Sequence, residues 1–231
     1  MKMERHALAF RIRPGSHEAV RELLAGYGTP RLETDDGTRL LSTAVFLKDD
    51  LAVRAIEIEG DLPTLAAHLA QDPVVLEVER GLLPHLVDTY DPADPRQRGE
   101  FMARRRTEPL MHCSSSAEGT GTRHALRYPV RPDRMDRAAA FLAGPGDLAR
   151  VDTLHGASVF RQGDDVLVGV FEIGGDIDGF VEDLARAVPV GAAREMAEIF
   201  EAPGDFATAE GRRKFYTESL MTTVTDRRVG R

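Results

Sequence analysis

Cysteine is nearly absent from this sequence, since Cys113 is the single one among 231 residues. One cysteine cannot form an intrachain disulfide, and it cannot supply the several thiolates of a zinc or iron–sulfur site. No uninterrupted apolar run approaches the roughly 18 residues of a membrane-spanning helix. The first residues, MKMERHALAF, also have charges where a secretory signal has its apolar core. These absences predict a cytoplasmic protein with no membrane partner.

An excess of basic charge is also missing, because there are 30 lysines and arginines against 38 aspartates and glutamates. The net charge of −8 leaves no broad electrostatic footprint for nucleic acid. No phosphate-cradling glycine loop or dinucleotide fingerprint follows a strand pattern, so nothing supports a flavin or nicotinamide. We therefore predict no cofactor and no metal, and we expect a small molecule or a protein as the partner.

An internal repeat is the strongest positive feature of the sequence. RHALAFRIRP begins at Arg5, and the closely similar RHALRYPVRP begins at Arg123. Further pairs follow in the same order: Val45-Phe46 with Val159-Phe160, Glu57-Ile58 with Glu172-Ile173, and TEPLM at Thr107 with TESLM at Thr217. Such a collinear series indicates a duplication. We predict a first repeat at residues 1–113, a small polar linker at 114–121 and a second repeat at 122–231.

Each repeat has the pattern of a ferredoxin-like βαββαβ unit. An alternating strand and a helix are followed by a hairpin and a second helix, for which Asp61 or Asp176 is the expected N-cap. The last strands are predicted at 109–115 and 219–225. Because one such unit leaves one sheet face bare, the second copy is expected to cover it. We predict an α+β fold in which the tandem repeats form an intramolecular dimeric α/β barrel.

Four segments resemble signatures of the SchA/CurD-like family: LMHCSSSAEG at Leu110, the RHAL–RPDRMD stretch at Arg123, FEIGGDIDGF at Phe171 and LMTTVTDR at Leu220. The family occurs in actinobacterial gene clusters for spore pigments and other type II aromatic polyketides. Its members look like relatives of antibiotic-biosynthesis monooxygenases and of aromatic polyketide cyclases, both of which are dimeric α/β barrels. The resemblance covers essentially the whole chain.

The resemblance implies three functions. The leading one is a cofactor-independent monooxygenase that oxidises a polycyclic aromatic polyketide to a quinone with O₂. The alternatives are a polyketide cyclase or aromatase, and a non-catalytic partner of other polyketide-pathway enzymes. Both chemistries begin with removal of a proton, so each needs a base near neutral pKa and donors that stabilise an oxyanion. The oligomeric state stays open between monomer and homodimer.

Histidine is the natural candidate for that base. His6 and His124 occupy equivalent positions in the two repeats, which leaves both a structural and a pocket role open. His112 has Thr222 as its counterpart, so the shared scaffold cannot require it. We predict His112, His124 and His6 as catalytic candidates, the alternative being satisfied structural histidines. Cys113 next to His112 points to the opposite strand face and is expected to be a buried, inert thiol.

Five further residues are candidates for substrate binding: Tyr128, Phe10, Arg127, Glu172 and His155. Tyr128 replaces Phe10 in the second repeat and adds a hydroxyl that suits a phenolic substrate, although an aromatic at this spacing also suits a core. Glu172 closes a strand with apolar residues on the same face, so it needs a partner and is either an ion-paired group or an acid–base group. Its counterpart Glu57 has the same alternatives, and the expected partner is Arg54, Arg39 or a backbone cap.

One short motif has a second interpretation. The stretch Gly175–Gly179 fits the GxxDG pattern of dye-decolorising haem peroxidases. The same residues are explained by Gly175 ending a strand and Asp176 capping a helix, so we do not predict haem.

Overall fold

The structure is a computed structural model that describes residues 3–28, 32–115, 119–144, 148 and 151–229. The chain divides into two compact units. The first contains the residues up to Thr107 together with those from Thr223 onward, and the second contains Glu108–Thr222. The fold is α+β, as predicted, with two four-stranded sheets.

The first unit follows the predicted element order. Its strands are β1 Met3–Arg11, β2 Arg39–Lys48 and β3 Leu51–Glu59, and its helices are α1 His17–Gly26, α2 Leu62–Leu69, α3 Pro73–Leu82 and α4 Pro95–Arg105. A 3₁₀ turn at Leu83–His85 follows α3. The predicted hairpin is present, with Asp49 at φ 51° in the turn between β2 and β3. Asp61 caps α2 as expected, because its Oδ2 accepts from the Thr64 N–H at 2.9 Å.

The second unit repeats this order. Its strands are β4 Glu108–Ser114, β5 Thr122–Arg127, β6 Leu154–Gln162 and β7 Val166–Ile173, and its helices are α5 Met135–Ala143, α6 Ile177–Ala187, α7 Val190–Ile199 and α8 Ala209–Ser219. Asp176 caps α6 through a 2.8 Å bond from the Gly179 N–H, which is the non-haem explanation of the GxxDG stretch. The final strand, β8 Thr222–Arg228, starts three residues later than predicted because α8 continues to Ser219.

The last strand of each repeat joins the sheet that the other repeat begins. β4 pairs with β6, so the second sheet has the order β4-β6-β7-β5. β8 lies beside β2, so the first sheet has the order β1-β3-β2-β8. The chain just before each last strand still bridges to the first strand of its own repeat, at Leu8–Arg106 and Leu126–Leu220. A self-contained βαββαβ unit for each repeat is therefore not what forms.

The compact units consequently differ from the repeat boundaries 1–113 and 122–231. Sheet pairing, and not chain order, decides which unit each last strand enters. The boundaries themselves stay a prediction about the duplication. The predicted linker 114–121 includes residues 116–118, which lie outside the described residues, and the closed barrel also stays a prediction.

Candidate active site

A large cavity lies between the first sheet and the helices α2, α3 and α4. Its volume is about 760 Å³, within the roughly 300–1,000 Å³ range of small-molecule sites. The strands contribute Leu8, Arg54 and Ile56, and the helices contribute side chains such as Leu65 and Met102. Most of the lining is apolar. This cavity has room for a polycyclic ligand.

A small cavity of about 90 Å³ adjoins the large one on the side of α1 and α4. The two cavities share five lining residues, namely Leu8, Arg54, Val75, Glu79 and Met102. Most of the other residues that line the small cavity belong to the hydrophobic core of the first unit. Arg54 and Glu79 therefore place opposite charges at the common wall.

Arg54 is a cation on the helix-facing side of β3. It stands opposite Leu8 of β1 and Val45 of β2 in the strand register. Its Nε donates to Thr43 Oγ1 at 3.1 Å, and its Nη2 donates to the Tyr27 hydroxyl at 3.4 Å. The guanidinium is thus oriented by two hydroxyl groups, which leaves further N–H groups of its five to bind a ligand anion.

Tyr27 is itself held from the other side. The Arg227 guanidinium of β8 lies 4.5 Å from the centroid of the Tyr27 ring, and its Nη1 donates to the Tyr27 carbonyl at 3.1 Å. Cation–π contact and hydrogen bond together fix the ring. The strand contributed by the second repeat therefore supports the wall of the first unit's cavity.

Glu79 on α3 is held by two partners. Arg98 of α4 forms a salt bridge with its Oε1 at 2.6 Å, and the Tyr90 hydroxyl donates to its Oε2 at 2.9 Å. Both side chains of the salt bridge are largely buried. Burial, and next the Glu79 charge, raise the pKa of Tyr90, so the phenol stays protonated at neutral pH and remains a donor. The orientation of the Glu79 carboxylate is therefore fixed by its two partners.

The equivalent space in the second unit is mostly filled. Its cavity measures about 140 Å³. The repeat aligns Arg54 with Gly169 and Ile56 with Phe171, and a Cβ at Gly169 would lie 2.6 Å from the Phe171 ring. Stacked, tilted and edge-to-face aromatic rings occupy the region, including Tyr128, Phe200, Phe206, Phe215 and Tyr216. The unequal pair of cavities favours the first unit as the site.

The predicted catalytic histidines do not line any of these three cavities. His6 lies on the same strand face as Leu8, and its Nε2 is 3.2 Å from Glu4 Oε2. Burial is the main cause that lowers the pKa of His6. His124 Nε2 is 3.2 Å from Thr122 Oγ1. Their catalytic roles stay a prediction.

His112 lies on β4 and has a partner across the strand. Its Nδ1 is 2.9 Å from the hydroxyl of Ser158, which is its register partner on β6. His112 is exposed. Cys113 is exposed as well, which does not match the expected buried thiol. His112 also stays a prediction as a base.

The predicted substrate-binding residues are distributed over different places. Phe10 lines the small cavity of the first unit, whereas Tyr128 lines the cavity of the second unit. Burial raises the pKa of Tyr128 well above its ordinary value, so this hydroxyl stays neutral. The register puts Arg127 and Glu172 on the opposite face of the second sheet from Tyr128. No common pocket joins the five residues among the cavities described above.

The two glutamates and His155 have structural partners. Glu57 pairs with Arg5 at 3.0 Å and accepts from Ser42 Oγ at 2.5 Å, while of the expected partners Arg39 pairs with Glu59 and Arg54 donates to Thr43. Glu172 is buried and accepts from the Gly121 N–H at 2.8 Å. His155 Nδ1 is 3.1 Å from Thr120 Oγ1.

Sequence reasoning missed Arg54 and Glu79 as site residues. A signal for Arg54 was present, because it is the one charge among the helix-facing residues of β3 and its counterpart is Gly169. A charge in a single repeat is not required by the shared scaffold. Glu79 gave no such signal, since its neighbours Tyr90 and Arg98 come from different parts of the chain.

The described residues contain no cluster of three or more histidine, cysteine, aspartate or glutamate side chains arranged to hold a metal ion. None of the helices in this part of the chain has the length and apolar character needed to cross a membrane.

Comparison with known proteins finds a family match and curated relatives. Residues 3–115 match the sequence profile described as SchA/CurD like domain. The chain is 32% identical over 97% of its length to polyketide synthase CurD of Streptomyces cyaneus, covering 64% of that protein. It is 33% identical over 97% of its length to a 42.8 kDa protein in the whiE locus of Streptomyces coelicolor, covering 58% of that protein. The chain thus spans about three fifths of these relatives.

Solved structures give a weaker likeness. A protein described as a candidate monooxygenase from Fusobacterium nucleatum aligns with a TM-score of 0.48 at 10% identity, over 99% of this chain and 94% of that one. At this identity and score the likeness says nothing about the reaction.

Proposed function

From the match of residues 3–115 to the SchA/CurD like domain and from the 32% identity to polyketide synthase CurD, we propose that the chain belongs to the SchA/CurD-like family and that it oxidises a polycyclic aromatic polyketide intermediate to a quinone, with O₂ and without a cofactor. The substrate lies in the large cavity of the first unit. The observation that carries the proposal is this 760 Å³ cavity with Arg54 in its apolar wall. The substrate class rests on the curated relative named as a polyketide synthase.

The chemistry starts from a substrate anion. Removal of a proton from a phenol, or from the methylene of an anthrone, gives an anion that transfers one electron to O₂. The substrate radical and superoxide then combine to form a C–O bond, and the hydroperoxide loses water to leave a carbonyl. One oxygen atom enters the quinone and the other leaves as water. The Arg54 guanidinium stabilises the initial oxyanion at a fixed position.

Glu79 is the proton acceptor in this proposal, because its carboxylate lines both cavities. Arg98 and Tyr90 fix the orientation of the carboxylate. The sequence instead proposes His6, His112 or His124 as the base. Comparison of Glu79→Gln with the three histidine-to-alanine variants separates these assignments, since removal of a general base costs roughly 10²–10⁴-fold in rate.

The lining favours an oxygenase over a cyclase. A cyclase folds a chain with many carbonyl groups, and each of these needs a donor along the path of the chain. The large cavity instead has a mostly apolar lining, in which the polar side chains are Arg54, Gln71, Glu79, Arg80 and Arg98. Such a mostly apolar wall suits a ring system that is already aromatic.

A sealed assay with a model anthrone tests the proposal. Oxygen consumption, quinone absorbance and product mass are followed with the purified chain, with and without O₂, and with no additive. We expect stoichiometric O₂ uptake and a product that gains one oxygen atom and loses two hydrogens. Product formation at an equal rate without O₂, or with an unchanged oxygen count, refutes the oxygenase and indicates the cyclase. A requirement for added flavin or metal refutes the cofactor-free reaction.

A further inference from the structure

The small cavity of the first unit has the size and lining of a gas site. Its volume of about 90 Å³ is below the roughly 150 Å³ of an apolar cavity that accepts benzene or xenon. It is too small for a polycyclic substrate, yet it adjoins the cavity that has room for one. Core residues such as Val20, Leu24, Val45 and Phe101 form its lining.

Water is a poor occupant of this space. A buried water needs two to four polar partners. The polar side chains of the lining are Tyr27, Arg54, Glu79 and Tyr90. The Tyr90–Glu79 and Arg54–Tyr27 contacts engage part of this hydrogen-bonding capacity, and the remaining N–H groups of Arg54 lie at the wall shared with the large cavity. The remaining lining has no polar side chains, so it favours a small apolar molecule.

The small cavity lies where the proposed oxidation requires O₂, next to the substrate anion. Arg54 and Glu79 form part of the wall that both cavities share. A molecule in the small cavity therefore lies beside the place where the substrate anion is stabilised. Superoxide formed there is an anion next to the Arg54 guanidinium, which stabilises it.

We propose that the small cavity is the dioxygen subsite of the first unit. This assignment rests on the proposed function, because it supplies O₂ for the same substrate anion. O₂ takes one electron from that anion and, after recombination, leaves one oxygen atom in the quinone and one in water. The second unit's cavity of about 140 Å³ is an apolar space without this role, and it serves as an internal control.

The duplication offers a matched pair of variants. Val45 and Val159 occupy equivalent positions in β2 and β6, both are buried, and each lines the cavity of its own unit. Val45→Phe fills the small cavity of the first unit, and Val159→Phe fills the cavity of the second. Val45→Ile and Val159→Ile add one methylene each, and they provide the same comparison if the phenylalanine variants do not fold.

Xenon NMR titration and the KM for O₂ test the subsite together. We expect the wild type to bind xenon in the small cavity of the first unit and in the cavity of the second unit, with Val45→Phe removing the first of these sites and Val159→Phe removing the second. Only the Val45 variants should raise the KM for O₂. The expected increase is roughly tenfold when the cavity is completely filled, because the two atoms of O₂ then lose a burial energy similar to that of two methylene groups. The Kd of an anthraquinone probe should stay unchanged in both.

Two results overturn the assignment. If Val45→Phe abolishes xenon binding while the KM for O₂ stays at the wild-type value, the dioxygen subsite is refuted and the oxygenase stands. If the wild type consumes no O₂ with any anthrone, the proposed function and the subsite both fail, while the xenon titration still reports the cavity. The readouts thus distinguish the two failures.

Discussion

Replacement of Arg54 by methionine tests the central electrostatic claim. The change removes the guanidinium while retaining a long apolar side chain, and the neighbours Thr43 and Tyr27 keep their hydroxyl groups. A hydrogen bond to a charged group contributes about 1.5–3 kcal/mol. Since each 1.4 kcal/mol is tenfold in affinity, an anionic phenolic ligand should bind roughly ten to 140 times more weakly.

The pKa of the bound ligand provides a second measure of the same interaction. Stabilisation of the phenolate over the phenol lowers the ligand's pKa by one unit for each 1.36 kcal/mol. Loss of Arg54 should therefore raise the pKa of a bound hydroxyanthraquinone by about 1 to 2 units. Its visible absorbance, which differs between phenol and phenolate, reports affinity and pKa in one titration.

Two controls make the measurement specific. Arg54→Lys keeps a positive charge and should recover part of the affinity. Arg39→Met removes an exposed arginine of the same sheet, which pairs with Glu59 at 2.6 Å and does not line the cavities. If Arg54→Met binds the phenolate as tightly as the wild type and with an unchanged bound pKa, the oxyanion role of Arg54 is wrong.

Three further predictions concern the cavities and their supports. Ile56→Phe introduces the second unit's aromatic into the large cavity and should abolish anthraquinone binding without lowering the melting temperature, whereas retained binding would place the ligand elsewhere. Gly169→Ala puts a methyl group 2.6 Å from the Phe171 ring and should destabilise the protein by about 1–3 kcal/mol in urea unfolding; an unchanged midpoint contradicts the tight packing. Tyr90 has a raised pKa in the folded protein, so the unfolded chain loses its proton first and the free energy of unfolding falls as pH rises above about 10. Tyr90→Phe should reduce that fall, and an equal slope in both proteins refutes the burial of the phenol.

The duplication is what made the fold predictable. Most strands and helices have a counterpart in the other repeat, so an ambiguous pattern in one repeat can be assigned to a strand or helix from the other. The two N-caps show this, because Asp61 and Asp176 stand at equivalent places and both accept a backbone N–H three residues on. Alternation, capping and turn chemistry are local properties, which is why the sequence expresses them directly.

The exchange of the last strands was beyond local reasoning. β4 and β8 have the composition of strands wherever they pair, and either edge of a sheet offers the same backbone donors and acceptors. Which edge each strand joins depends on contacts between residues far apart in the chain. The pairing of β4 with β6, and of β8 beside β2, therefore emerges only in three dimensions.

The sequence by itself determined the α+β class, the order of elements and the resemblance to the SchA/CurD-like family, because periodicity, caps and motifs are properties of neighbouring residues. Only the tertiary structure decided which repeat has the open cavity. The volume of a cavity depends on side chains from several strands and helices. The difference between Arg54 and Ile56 in the first repeat and Gly169 and Phe171 in the second therefore affects a cavity only once the helices pack on the sheet. The same holds for Glu79, which becomes a site residue through partners 11 and 19 positions away.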